Sequence, residues 1–126
     1  MSDADVVRRM YAAKGDREVL RSVIAEDAEY DIAEGFPNGG VYHGLDSIVD
    51  DFFSFTGDFD EFRAEGDEFW EADGTVFVLG RYRGRARSTG APFTSRFAHV
   101  FTLRDGRIVR LRQTTDTVQI ARALGR

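Results

Sequence analysis

Phe93-Thr-Ser-Arg-Phe-Ala-His-Val-Phe-Thr-Leu-Arg-Asp-Gly-Arg-Ile-Val-Arg-Leu-Arg-Gln-Thr-Thr-Asp-Thr117 reads as one long β-hairpin with a single apolar face. Phe97, His99 and Phe101 alternate with Ala98, Val100 and Thr102, and a strand turns successive side chains to opposite faces. Asp105-Gly106 supplies the turn, and two registers compete. A two-residue turn pairs His99 with Arg112 and puts Arg110 among the phenylalanines. A three-residue loop of Arg104-Asp105-Gly106, with Gly106 left-handed, pairs Phe101 with Val109, His99 with Leu111 and Phe97 with Gln113. The latter gathers the apolar residues together, and burying one face specifies register strongly. The expected inner face is therefore Phe97, His99, Phe101, Val109, Leu111, Gln113 and Thr115. Ala98, Val100, Thr102, Ile108, Arg110 and Arg112 are expected on the outer face, which is half apolar.

Working outward, period-two runs at Asp60–Glu71 and Thr75–Ser88 precede the hairpin strands Phe93–Arg104 and Arg107–Thr115, with turn residues between all four. Upstream the period changes. Leu45, Ile48, Val49, Phe52 and Phe53 are spaced for one face of a helix. Phe36-Pro-Asn-Gly-Gly40 reads as a loop, and Ala28–Ala33 as a short strand. Asp3 or Asp5 caps a first helix carrying Val6, Val7, Met10 and Tyr11. Asp16 caps a second, carrying Val19, Leu20, Val23 and Ile24. Val118, Ile120, Ala121 and Leu124 make a short closing helix. The order α-α-β-α-β-β-β-β-α predicts an α+β fold with helices on one face of a mostly antiparallel sheet.

The 126 residues suit one domain, and eleven Phe and four Tyr suit a sheet or a cavity for an apolar ligand. A net charge of −5 argues against a nucleic-acid partner, which needs a basic footprint. Of the seventeen Lys and Arg, only Lys14 is a lysine. Absence of cysteine excludes disulfides, zinc-thiolate sites and cysteine nucleophiles. The first residues lack the pattern of a signal peptide, and no run approaches the ~20 apolar residues of a membrane span. A cytoplasmic protein with no membrane partner is the expectation.

No phosphate-binding loop, dinucleotide fingerprint, nucleophile elbow or His-Glu-x-x-His motif is present, and no residues have metal-ligand spacing. Arg81, Arg83, Arg85 and Arg87 read as an anion stripe or as a solvated sheet face paired with Glu61, Glu65 or Glu68. His99 reads as a satisfied core imidazole bonded to a backbone carbonyl, Gln113 or Tyr82, or as a working group in an apolar pocket. In the pocket, desolvation biases it neutral and leaves it able to accept a proton near pH 7. Asp116 reads as a cap for the last helix or as a site carboxylate.

Gly15-Asp16, Phe36-Pro-Asn-Gly-Gly-Val-Tyr-His-Gly44, Gly80-Arg-Tyr-Arg-Gly84 and His99–Thr117, taken in order, resemble the nuclear-transport-factor-2-like superfamily, specifically its SnoaL-like polyketide-cyclase branch. The resemblance covers nearly the whole chain. It implies a curved sheet wrapped around a long helix, a cone with a pocket at its open end, and a homodimer through the outer sheet face. Ketosteroid isomerase, in the same superfamily, would place its general base on Ile32, its oxyanion tyrosine on Arg8 and its oxyanion aspartic acid on His99, three departures against that reaction. An epoxide hydrolase of the superfamily needs an Asp-Arg-Asp set, and His99 stands where one of those carboxylates would be. The cyclase branch's acid/base aspartate falls on Asp116. Strict alternation puts Asp116 outside, so the carry-over requires the strand to bulge or end by Thr115. The expected function is a small-molecule pocket enzyme of cyclase or isomerase kind, without a cofactor, acting on an apolar carbonyl compound. His99 and Asp116 are its acid/base pair, and Tyr30, Trp70, Tyr82, Phe97 and Gln113 line or orient the ligand. The competing expectation is a binding or accessory domain with the same pocket and no chemistry.

Overall fold

The computed structural model describes residues 1–126. The sequence folds as α1 (Asp3–Ala12), α2 (Arg17–Val23), β1 (Ile24–Ile32), β2 (Gly40–His43), β3 (Phe59–Ala72), β4 (Thr75–Ala86), β5 (Pro92–Arg104), β6 (Arg107–Thr115) and α3 (Val118–Ala123). Between β2 and β3 the chain makes a π-helical segment, Ser47–Phe52, and then 3₁₀ turns over Phe53–Asp58. The six strands form one curved, unclosed sheet in the order β2-β1-β6-β5-β4-β3. Every neighbouring pair is antiparallel except β1 with β6. The α+β class and the mostly antiparallel sheet are as expected. The long central helix is not: α1, at ten residues, is the longest.

Local chemistry sets the helix ends. Ser2, rather than Asp3 or Asp5, caps α1, and Asp5 answers from the third position to complete a capping box. Asp16 caps α2 through Val19 N–H at 3.2 Å. Ile24 leaves the helical stripe of α2 and becomes the first residue of β1. The stripe at Leu45–Phe53 is helical, with Ile48, Val49 and Phe52 buried, but it widens to π geometry and then tightens. That change of pitch gathers three closely spaced rings. Phe52 lies 4.9 Å from Phe53 and 5.2 Å from Phe55, centroid to centroid. Strand β2 was not expected. It pairs with β1 from Ile32↔Gly40 to Glu29↔His43 as a short edge.

The register of the β5–β6 hairpin differs from the expected one. Asp105 and Gly106 both have positive φ (51° and 75°), a two-residue turn pairing Arg104 with Arg107. A bulge at Val109 then shifts the ladder, so that Phe101 faces Leu111, His99 faces Gln113 and Phe97 faces Thr115. The bulge resolves the conflict that made the two-residue turn unattractive, because it resets the alternation. Ile108, expected outside, is fully buried with Leu111, while Val109 and Arg110 are only half-buried. Burying Ile108 and Phe101 removes about 1.5–3 kcal/mol worth of apolar side chain from water at each position.

A similar device operates in β3. Gly66 pairs Gly80 and Glu68 pairs Leu79, leaving Asp67 as the extra residue. On the opposite face of β4 the arginines are solvated and paired, Arg81 with Asp67 at 3.1 Å, Arg83 with Glu65 at 2.9 Å and Arg87 with Asp60 at 3.0 Å. Helix α1 lies against β3, β4 and β6, α2 against β1 and β6, and α3 against β5.

Candidate functional site

The concave face of the sheet, α1 and the Phe52–Thr56 segment enclose a cavity of about 510 Å³. Its walls are largely aromatic: Phe36, Phe52, Phe53, Phe55, Phe62 and Phe69. Exposed lining residues, among them Arg8, Lys14, Thr56 and Arg63, mark its mouth. Tyr30, Tyr82, His99 and Gln113, all buried, form its floor.

Four elements meet at that floor through one hydrogen-bonded chain. Gln113 on β6 accepts from the Ala33 N–H at 3.1 Å and donates from Nε2 to the Tyr82 hydroxyl at 2.8 Å. The Tyr82 oxygen lies 2.6 Å from His99 Nε2, and the Tyr11 oxygen lies 2.7 Å from His99 Nδ1. A backbone N–H only donates, so the oxygen of Gln113 must face Ala33 and its NH₂ must face Tyr82. Tyr82 is fully enclosed, and its own proton has one acceptor within reach, His99 Nε2. The imidazole proton then resides on Nδ1 and is donated to Tyr11. We assign the protons this way because the reverse tautomer strands the Tyr82 proton in a buried site. The chain thus runs Ala33 → Gln113 → Tyr82 → His99 → Tyr11, and it leaves the Tyr11 proton free for whatever occupies the cavity.

Burial fixes the charge state of this floor. Desolvation drives the His99 pKa down to about 3, so the ring is neutral at any physiological pH. The expectation that it accepts a proton near pH 7 fails for this reason. Desolvation also pushes the Tyr11, Tyr30 and Tyr82 hydroxyls well above the usual phenol range, and the neighbouring phenols add to this at Tyr11 and Tyr30. Phe97 stacks on His99 at 3.9 Å between centroids, which holds the imidazole plane.

Of the residues singled out from sequence, Tyr30, Tyr82, His99 and Gln113 converge on the cavity. Tyr30 donates to Met10 Sδ at 3.4 Å, a weak acceptor that a ligand oxygen can displace. Phe97 is buried behind His99 and does not border the cavity. Trp70 is 50% exposed on the outer face, because the Asp67 bulge resets the alternation and turns Phe69 inward instead. Asp116 is not brought to His99. β6 ends at Thr115, but pairing with β5 continues through Asp116 N–H to Arg96 O at 3.1 Å and keeps the side chain outward. There it is exposed, and its Oδ1 accepts from the Val118 N–H at 3.0 Å, one position ahead of Thr117, the N-cap of α3. Nowhere do three or more His, Asp or Glu side chains converge as metal ligands would. No helix is long and apolar enough to cross a membrane.

Sequence reasoning missed Tyr11, which it counted as part of the core stripe of α1. The available signal was its spacing: Arg8, Tyr11 and Lys14 recur every third residue, and all three line the cavity.

Residues 7–111 match the SnoaL-like domain family. An uncharacterized protein of Mycobacterium tuberculosis is 32% identical over 125 residues, covering 87% of this chain and 86% of its own. Among solved structures, a nuclear-transport-factor-2-like protein from Burkholderia thailandensis superposes with a TM-score of 0.88 at 34% identity, covering 98% of both chains. TerC, solved co-crystallized with polyporic acid, superposes with a TM-score of 0.86 at 25% identity, again over 98% of both. With the fold and its floor in view, the chain belongs to the SnoaL-like branch of the nuclear-transport-factor-2-like superfamily.

Proposed function

We propose that this protein binds an apolar, carbonyl-bearing small molecule and closes or rearranges it without a cofactor, as a cyclase- or isomerase-type enzyme. One observation carries the reading: a polarised hydrogen-bond chain ends on a tyrosine hydroxyl facing an aromatic cavity. The Tyr11 proton is placed to stabilise an oxyanion where charge develops on the substrate, as preorganised donors do in low-dielectric sites. His99 is the positioning residue, since its Nδ1–H fixes the Tyr11 rotor and its Nε2 is committed to Tyr82. Tyr30 offers a further donor at the same floor. No carboxylate reaches that floor, so the reaction that suits it is ring closure or proton shift in a substrate that enolises readily on its own. That TerC, a fold this similar, was co-crystallized with polyporic acid supports an oxygen-rich aromatic ligand.

A second reading is favoured by that missing carboxylate: a binding domain with the same ligand and no turnover. The two separate by experiment. Apolar polyketones and quinones are screened for thermal stabilisation, which rises as RT ln(1 + [L]/Kd), and each hit is incubated and checked for product. The enzyme reading predicts product from wild type and little from Tyr11→Phe. Stabilisation with no product from any hit would overturn it in favour of the binder, and no stabilisation by any compound would overturn both.

The proposal extends to a homodimer through the outer sheet face. Ladder partners Trp70, Phe77 and Val100 form one row across that face, and Leu79 and Ala98 extend it. Trp70, Phe77 and Leu79 are 50%, 44% and 44% exposed. Contiguous apolar patches of this kind mark contact sites, and a two-fold axis uses one patch twice.

A further inference from the structure

The charges at the cavity mouth are not balanced. Four charged residues line it: Arg8, Lys14, Arg63 and Glu65. Arg63 is held by Glu61 at 3.0 Å and Glu65 by Arg83 at 2.9 Å. Arg8 and Lys14 make no ion pair, although acidic residues outnumber basic ones 22 to 17 in this chain. Asp5, one turn before Arg8, feels its charge, but both Asp5 groups are engaged with Ser2 in the capping box. The Arg8 guanidinium lies 3.9 Å over the Phe69 ring, which keeps it at the rim of the aromatic wall. Lys14 sits at φ 50°, in the left-handed position after a helix where glycine or asparagine is usual. A lysine there is held in a backbone conformation that residues other than glycine and asparagine rarely adopt. It is the only lysine in the chain.

Beneath these two cations lies a floor with a free donor, Tyr11, and no carboxylate. Donor below, cations above and rings between together describe the complement of an apolar anion. We propose that the ligand of this cavity is an acidic enol or phenol of an aromatic compound, bound as its anion, with Arg8 and Lys14 selecting for the charge. The inference rests on the small-molecule reading of the cavity and deepens it. An enol that arrives ionised has already surrendered its proton to solvent, so the protein requires no internal base. Tyr11 then needs only to donate a hydrogen bond to the oxyanion. A cation at the end of α1 also offsets the helix's negative end, but that role would not distinguish a charged ligand from a neutral one of the same shape.

The test is calorimetric titration with matched pairs: 2-hydroxy-1,4-naphthoquinone, an acidic enol ionised at neutral pH, against its methyl ether, and the same pair carrying a phenyl group at C3. Wild type is expected to prefer the anion by about tenfold, the size expected of two partly exposed cations acting together. The preference should shrink in high salt. In Arg8→Gln/Lys14→Gln it should fall to near parity, with affinity for the ether unchanged. Arg9→Gln/Arg126→Gln, which alters net charge equally away from the mouth, should keep the preference. Ethers that bind as tightly as acids, or a preference that survives the loss of Arg8 and Lys14, would overturn the inference and leave the cavity reading standing. Binding by no member of either series would overturn both.

Discussion

Tyr11 places a polar tip on a helix stripe whose other members, Val6, Val7 and Met10, are core, and that apolar company masked its every-third-residue spacing with Arg8 and Lys14. Its hydroxyl acquires meaning only because the fold carries it to His99, 88 positions away in the chain. His99 was legible, since a lone imidazole between Phe97 and Phe101 needs partners; of those anticipated, Tyr82 bonds it directly, while Gln113 reaches it only through Tyr82. Removing the donor with Tyr11→Phe is expected to lower any turnover by about 100- to 1,000-fold, the usual effect of deleting one oxyanion donor. It should cost about 1–2 kcal/mol of stability, because His99 Nδ1–H loses its acceptor. Asp116→Asn should leave turnover as it is, since the side chain faces away from the cavity and an asparagine oxygen can cap Val118 equally well; steady-state rates of both variants decide this. The buried imidazole also predicts acid sensitivity. Its folded pKa lies near 3, below the ordinary 6.5, so protonation favours the unfolded chain. The contribution is intact above pH 6.5 and is lost at roughly 1.4 kcal/mol per pH unit as the pH falls toward 3. Urea unfolding at stepped pH should show this slope in wild type and a flatter one in His99→Gln.

At the scale of the element, strands and helices followed their periods, and the errors cluster where a single residue breaks the period. Strict alternation assigns Ile108 to the outside and lets Trp70 count as a pocket wall. Bulges at Val109 and Asp67 reverse both, turning Ile108 and Phe69 inward. Nothing local in Arg-Ile-Val-Arg announces a bulge, whereas Gly66 in Glu-Gly-Asp-Glu is a mark of one that strict alternation passes over; both are set by the need to bury both halves of a long strand across a curved sheet. Strand β2 was missed because it is a four-residue edge whose alternate side chains stay exposed, so it lacks an apolar face to read. Curvature itself depends on Gly80, opposite which the sheet closes tightly. A Cβ there would lie 2.1 Å from the Glu65 carbonyl oxygen and 2.6 Å from the Phe97 ring. Gly80→Ala is therefore expected to destabilise the fold by more than about 3 kcal/mol, the range of severe backbone and packing conflicts. A thermal midpoint within a few degrees of wild type would contradict that role.

For the whole molecule, the fold class was legible because helices precede a run of period-two strands. A cavity was expected, with Tyr30, Tyr82 and Gln113 on it, but its size and the rest of its lining were not legible, because its volume is what remains between α1, the Phe52–Thr56 segment and the concave sheet once every side chain is placed. The outer face predicts assembly. Phe77→Asp or Val100→Asp puts like charges near a two-fold axis and should shift the protein from dimer to monomer in sedimentation velocity, whereas a wild-type monomer at micromolar concentration would contradict the dimer. The function proposed here depends on four elements meeting so that one proton points in one direction. That direction is open to a single measurement, nitrogen-15 NMR of ring-labelled histidine, in a chain with only two histidines. His99 is expected to be neutral from pH 5 to 8, with its proton on Nδ1 and a bare Nε2. A proton on Nε2 alone would reverse the chain and close off the Tyr11 donor, and an imidazolium forming in that interval would leave the buried Tyr82 proton without an acceptor; either result would contradict the proposed proton order.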